Sequence, residues 1–197
     1  MNIEKYTEEL ITLRHYFHQH PELALQEVET SAYIRKYLEK LGYEIVPIEP
    51  TGLIAELPSL RNREKLVVLR AEIDALPIQE QTNLPYASVN QGCMHACGHD
   101  VHMAILLETV LRLLQRRDDL FGSVRILFQP SEELSPTGGA RLMMKDGFLD
   151  GVSGVFGLHV WPSYPVGRIG IKGGPLMAAS DPVSYTHLRA HETAANL

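Results

Sequence analysis

The sequence predicts an α/β fold, a largely parallel mixed sheet with helices on both faces. Three observations carry that prediction. The apolar period switches from helical to strand-like after Gly42. Between Leu66 and Val160, short apolar runs then alternate with amphipathic stretches, the strand–helix–strand order of a parallel sheet covered by helices. Within that region Leu66-Val67-Val68-Leu69 is apolar without alternation, as in a strand buried on both faces.

The elements follow in order. Ile3, Tyr6, Leu10, Leu13 and Phe17 stand at helical spacing over residues 3–19, and Pro21 ends the pattern. A second helix is expected over 27–41, with Val28, Ile34, Leu38 and Leu41 inward and Gly42 as its C′ residue. Residues 43–48, 53–57 and 66–71 read as strands, and a long loop with Pro77 and Pro85 follows. Then come a helix over 100–116, a strand over 124–128, a helix over 139–146 and a strand over 154–160. A last strand is expected over 167–172.

Bulk properties narrow the function. With 197 residues, 45% of them hydrophobic, the chain can form a real core. A net charge of −6 argues against nucleic acid and an anionic membrane as partners. The first nine residues lack a basic stretch and an apolar core, so they do not read as a signal peptide. No run of ~18 apolar residues occurs, so no membrane helix is expected. Two cysteines, Cys93 and Cys97, are too few for a disulfide framework, which points to a reducing cytoplasm.

Three clusters carry chemistry. Cys97 and His99 alternate in Cys93-Met94-His95-Ala96-Cys97-Gly98-His99-Asp100-Val101-His102, so an extended loop can turn both side chains one way. Glu132 and Glu133 follow the apolar run Ile126-Leu127-Phe128, and His159 ends Val155-Phe156-Gly157-Leu158. Open sheets of this kind bind ligands beyond the carboxyl ends of their strands. Three strands would thus bring Asp74, the acidic pair and His159 to one edge, where the Cys97/His99 loop enters its helix. A thiolate with imidazoles suits Zn²⁺, Mn²⁺ or Co²⁺. Of two adjacent carboxylates, one can bind metal while the other takes a proton from a water that the metal acidifies.

Each residue also has a plainer role open to it. Cys97 could be a small buried hydrophobe, Glu132-Glu133 an exposed acidic pair opening a helix, and His159 a satisfied core residue. A Cys–His nucleophile pair would lack an orienting group and leave the acidic pair unexplained. Cys93 reads as a packing residue. Asp74, Asp100, His95 and His102 are candidates to support metal ligands from behind, since a carboxylate commonly fixes a ligating histidine's tautomer. His15, His18 and His20 have no evident partner, so surface or capping roles are expected for them.

These stretches, with Arg14-His15-Tyr16-Phe17-His18-Gln19-His20-Pro21-Glu22-Leu23, Arg70-Ala71-Glu72-Ile73-Asp74-Ala75-Leu76-Pro77 and Phe128-Gln129-Pro130-Ser131-Glu132-Glu133, resemble the metal-dependent amidohydrolases. That family includes hippurate hydrolase, N-acyl-amino-acid deacylases and auxin-conjugate hydrolases, and its catalytic domain is zinc-peptidase-like. The resemblance implies two divalent metal ions, Mn²⁺ foremost, with Zn²⁺ or Co²⁺ also usual. Cys97 would bridge them, His99, Glu133 and His159 would be terminal ligands, and Glu132 would be the general base. It implies hydrolysis of the amide of a small N-acyl amino acid, with a dipeptidase of the same superfamily or a non-catalytic metal-binding product as alternatives. Glu72 stands where the family usually has Asp, and Ser131 where it usually has Ala; no role is expected for Glu72.

Residues 1–181 are accordingly expected to form the N-terminal part of a catalytic domain. The family continues into a lid domain that supplies one more histidine and through which its members often dimerise. Residues 182–197 do not match and look like foreign sequence, so the i, i+4 pair His187 and His191 is not expected to be a ligand pair. A chain without the lid is expected to be weakly active or inactive.

Overall fold

The computed structural model describes residues 3–134, 138–145 and 147–177. The chain divides into two compact units, 1–161 and 162–197.

In the first unit, helix α1 (Ile3–Gln19) stops just before His20-Pro21, where the proline disfavours a helical predecessor. Helix α2 (Val28–Lys40) follows, then strands β1 (Ile45–Ile48), β2 (Gly52–Leu57) and β3 (Leu66–Glu72). Helix α3 (His99–Gln115), strand β4 (Ser123–Gln129), helix α4 (Gly139–Lys145) and strand β5 (Gly154–Gly157) complete the order. A short 3-10 turn, Arg117–Asp119, leads into β4.

The five strands form one mixed sheet in the order β1-β2-β4-β3-β5. The β3-α3-β4-α4-β5 stretch gives parallel pairings of β3 with β4 and with β5, as the alternation predicts. β1 and β2 differ: β1 pairs antiparallel with β2, and β2 antiparallel with β4. Only three residues separate β1 from β2, a span that allows a hairpin but not a parallel crossover.

Period-two alternation assigns the faces. Leu53, Ala55 and Leu57 of β2, Ala71 of β3, and Val124, Ile126 and Phe128 of β4 pack with Phe17, Ile34, Leu38, Met103, Leu107 and Val110 of α1, α2 and α3. Ile54, Val68 and Leu127 point the other way and pack with Met143 of α4. Helices therefore cover both faces. Val68 and Ile126 are fully buried, in line with the unbroken apolar runs that contain them.

β5 ends at Gly157, so His159 lies two residues beyond its strand rather than inside it. In the second unit, residues 167–172 form no strand, contrary to the sequence expectation. Ile169 and Ile171 are almost fully exposed, and no ladder partner meets them among the described residues. Residues 182–197, with His187 and His191, lie outside the described residues.

Phe128 is fully buried near the end of β4, four residues before Glu132. Phe128→Ala is expected to destabilise the chain by about 3–5 kcal/mol in urea unfolding, from lost burial plus the cavity left behind. A loss under about 1 kcal/mol would mean that the core at this strand end is loose.

Candidate metal centre

The carboxyl ends of β3, β4 and β5 and the start of α3 meet at one edge. Gly98 sits at the N-cap of α3 with φ +89°, a left-handed conformation that suits glycine. A Cβ there would also lie 2.4 Å from Val160 Cγ2. Gly98 thus lets Cys97 and His99 flank a tight turn pressed against the segment that carries His159.

His99 is 1% exposed. Its Nδ1 donates to the Asp74 backbone oxygen at 2.8 Å and lies 3.3 Å from Asp74 Oδ1. A carbonyl only accepts, so Nδ1 carries a proton, and loss of the second ring proton would free Nε2 to present a lone pair. That Nε2 lies 3.8 Å from Glu133 Oε1 and 3.9 Å from Glu132 Oε2. Neither His99 Nε2 nor Glu133 Oε1, both buried, has a hydrogen-bond partner among the described residues.

His159 is exposed, and its Nδ1 donates to the Val160 carbonyl at 2.7 Å. Its Nε2 accepts from the Cys97 thiol at 3.3 Å. Donor atoms of Cys97, His99 and His159 fall within 4.8 Å of one another, as do those of His99, Glu132 and Glu133. The structure therefore brings together every predicted ligand and the predicted base. Two imidazole Nε2 atoms, a thiol and two carboxylates converge, with two buried donor atoms unsatisfied. That donor set fits a thiophilic divalent cation.

The supporting residues divide. Asp74, 1% exposed, holds His99 as expected, and its Oδ2 also accepts the Glu133 amide at 2.9 Å. His102 Nδ1 donates to Glu72 Oε2 at 2.8 Å, and its Nε2 accepts the Val160 amide at 3.0 Å. His102 thereby fixes the segment bearing His159. Glu72, given no role from sequence, is buried and also paired with Arg70. Its burial would raise its pKa, but the His102 bond and the Arg70 charge bring it down to about 2. Donor atoms of Glu72, His99 and His102 also fall within 4.8 Å. Both ring nitrogens of His102 are already engaged, however.

Asp100 corrects the expectation. Its Oδ2 faces His18 Nδ1 at 2.8 Å and Arg14 Nε at 3.0 Å, not a ligand histidine. His18 is 3% exposed rather than on the surface, and its Nε2 lies 3.2 Å from Glu80 Oε1. The Asp100 bond is the main cause that raises its pKa. This cluster ties α1 to the first turn of α3. His15 stacks on Tyr86 at 3.7 Å between ring centroids, and His20 Nδ1 caps the Tyr16 carbonyl at 2.8 Å. His95 is buried with no hydrogen-bond partner on either ring nitrogen among the described residues, and burial lowers its pKa to about 4. Cys93 is buried, as expected for packing.

Electrostatics favour a base at Glu132. Burial first, and then the neighbouring Glu133 charge, raise its pKa. Burial would lower His99, but the Asp74 bond and the surrounding carboxylates raise it to about 11 in the metal-free site. A groove of about 470 Å³ lies at the opposite end of the sheet, beside Tyr43, Leu57 and Arg117. Its Arg125 is paired with Glu56, and no group of candidate metal ligands falls there among the described residues.

The profile of peptidase family M20/M25/M40 matches residues 68–196. The chain belongs to that family. It is 53% identical over 174 residues to an N-acetylcysteine deacetylase of Bacillus subtilis, covering 87% of this chain and 45% of that protein. It is 43% identical over 180 residues to an N-acyl-L-amino acid amidohydrolase of Geobacillus stearothermophilus, covering 91% and 48%. The chain thus spans about half the length of these curated relatives. It superposes with a TM-score of 0.83 and 49% identity on a dinuclear metal-binding M20 peptidase from Bacillus subtilis, covering 88% of this chain and 48% of that one. No helix among the described residues of this M20 chain is long and apolar enough to cross a membrane.

Buried His99 and His95 should have their pKa values shifted in opposite directions in the metal-free chain. Ring ¹⁵N shifts are expected to show His99 still protonated at about pH 8 and His95 still neutral at about pH 5. Because the His95 pKa is lowered, its contribution to stability is complete above 6.5 and declines as pH falls toward about 4. Ordinary titration of both rings near 6.5 would contradict this electrostatic account.

Proposed function

We propose that this chain forms the catalytic-domain part of a metal-dependent amidohydrolase acting on N-acyl amino acids. Two divalent cations would be held by Cys97, His99, Glu133 and His159, with Cys97 between them. Mn²⁺ is the foremost candidate, and Zn²⁺ and Co²⁺ suit the same donors. The observation that carries this is the meeting of His99 Nε2 with the Glu132 and Glu133 carboxylates at 3.8–3.9 Å, beside the Cys97–His159 pair. The names of the two bacterial relatives, a deacetylase and an amidohydrolase, support the substrate class.

Bound cations would supply Lewis acidity, acidifying a water and polarising the substrate carbonyl. Glu132 would take a proton from the attacking water as its oxygen adds to the amide carbon. Glu132 would hold that proton and then deliver it to the amine nitrogen as the C–N bond breaks. The products are a carboxylic acid and a free amino acid. Asp74 keeps His99 Nε2 aimed at the site, and His102 keeps the His159 segment in place.

Residues 1–181 are proposed as part of a larger catalytic domain. A further histidine and a water-excluding lid would come from the rest of the parent protein, which would dimerise through that lid. The two free cysteines support a cytoplasmic setting.

In the full-length parent, Glu132→Gln should lower turnover of an N-acetyl amino acid by about 10²–10⁴-fold while bound metal, read by elemental analysis, stays unchanged. Unchanged turnover would remove Glu132 as the base. Cys97→Ala should lower metal occupancy; full occupancy would return Cys97 to a packing role.

A further inference from the structure

Glu27 lies far from the chemistry in sequence, immediately before α2, and it is wholly buried. Its Oε1 accepts the Ser131 amide at 2.8 Å, and its Oε2 accepts the Thr51 hydroxyl at 2.6 Å. Ser131 is itself fully buried, with φ +54°, a region that side-chain-bearing residues rarely occupy. Such a conformation persists only where its surroundings over-determine it.

The surroundings here are specific. A Cβ on Gly139 would lie 2.0 Å from the Pro130 oxygen, and one on Gly52 would lie 2.9 Å from Pro130 Cδ. The chain is therefore clamped at Pro130, one residue before the turn. Ser131 O accepts the Gly139 amide at 3.0 Å. The Glu133 amide is taken by Asp74, and the Glu132 amide also stabilises that carboxylate. Two buried carboxylates thus take the Ser131 and Glu133 amides, Glu27 the first and Asp74 the second.

We infer that Glu27 is a positioning residue: through the Ser131 amide it holds the left-handed turn that sends Glu132 and Glu133 toward His99. Without it, the Ser131 N–H would be orphaned in a dry site and would seek another acceptor by leaving φ +54°. The rotation would fall one and two residues before the acidic pair. Thr51 keeps the Glu27 carboxylate from turning away.

The inference rests on the metal-site reading for its consequence, so two separable readouts test it on this chain. Hydrogen exchange at the Ser131 amide tests the hold on the turn, and calorimetric titration with Zn²⁺ tests the effect on the site. Glu27→Leu keeps the buried volume but removes both bonds. It should speed Ser131 exchange and weaken Zn²⁺ binding by about 10–100-fold, the usual effect of losing a residue that supports metal ligands from behind. Glu27→Gln can still accept from Ser131 and donate to the Thr51 oxygen, so it should restore both to near wild type. A purely structural role would lower the melting temperature of Glu27→Leu and leave Zn²⁺ affinity of the folded chain unmoved, and that result would overturn the inference. Unchanged Ser131 exchange in Glu27→Leu would overturn it as well. If Glu27→Leu does not fold, Thr51→Val is read in both assays; smaller shifts in the same directions support the inference and no shift overturns it. If the wild-type chain takes up no Zn²⁺, the metal-site reading fails, and Ser131 exchange alone decides whether Glu27 holds the turn.

Discussion

The buried carboxylate of Asp74 is the constraint on which the site depends. It stands just past the end of β3, and it reaches two other elements at once. Its backbone and side-chain oxygens meet His99 at the start of α3, and its Oδ2 takes the Glu133 amide in the turn after β4. Burial alone would raise its pKa; the His99 bond and the turn amides lower it, so the anion is stabilised where it stands. One charge, held by donors from two elements, sets the distance between an imidazole ligand and the acidic pair.

The parallel half of the sheet makes that contact possible. β3, β4 and β5 run the same way, so their carboxyl ends open at one edge. The antiparallel β1–β2 hairpin brings no metal-ligating residue to that edge, but its turn supplies Thr51, which orients Glu27 under the Ser131 turn. Support therefore arrives from both sides. His18 and Arg14 of α1 fasten Asp100, next in sequence to His99. Glu72 and His102 fasten Val160, next in sequence to His159. In each case a buried ion or hydrogen-bond pair acts on the neighbour of a candidate ligand and not on its Nε2.

Much of this was legible in the sequence. The apolar run Leu66–Leu69 and the strand–helix alternation fixed the parallel core, and all four ligand candidates and Glu132 meet in space. The misses have physical causes. Ile169 and Ile171 have strand-like patterning, but a strand also needs a partner edge, which local pattern does not encode. Asp100 follows a ligand histidine directly, yet on α3 it points toward α1, and only the packing of the two helices shows that His18 meets it. Glu27 and Ser131 are separated by more than a hundred residues, so no local motif could join them. The role of Glu72 required knowing that His102, one turn into α3, reaches back to β3.

The central claim is that Cys97, His99, Glu133 and His159 together hold a pair of divalent cations. Crystals of the chain soaked in Zn²⁺ and measured at the zinc absorption edge test it most directly. The account predicts anomalous density between Cys97 Sγ and the Nε2 atoms of His99 and His159, within reach of Glu133. Density elsewhere on the molecule, with none at this edge of the sheet, would contradict it.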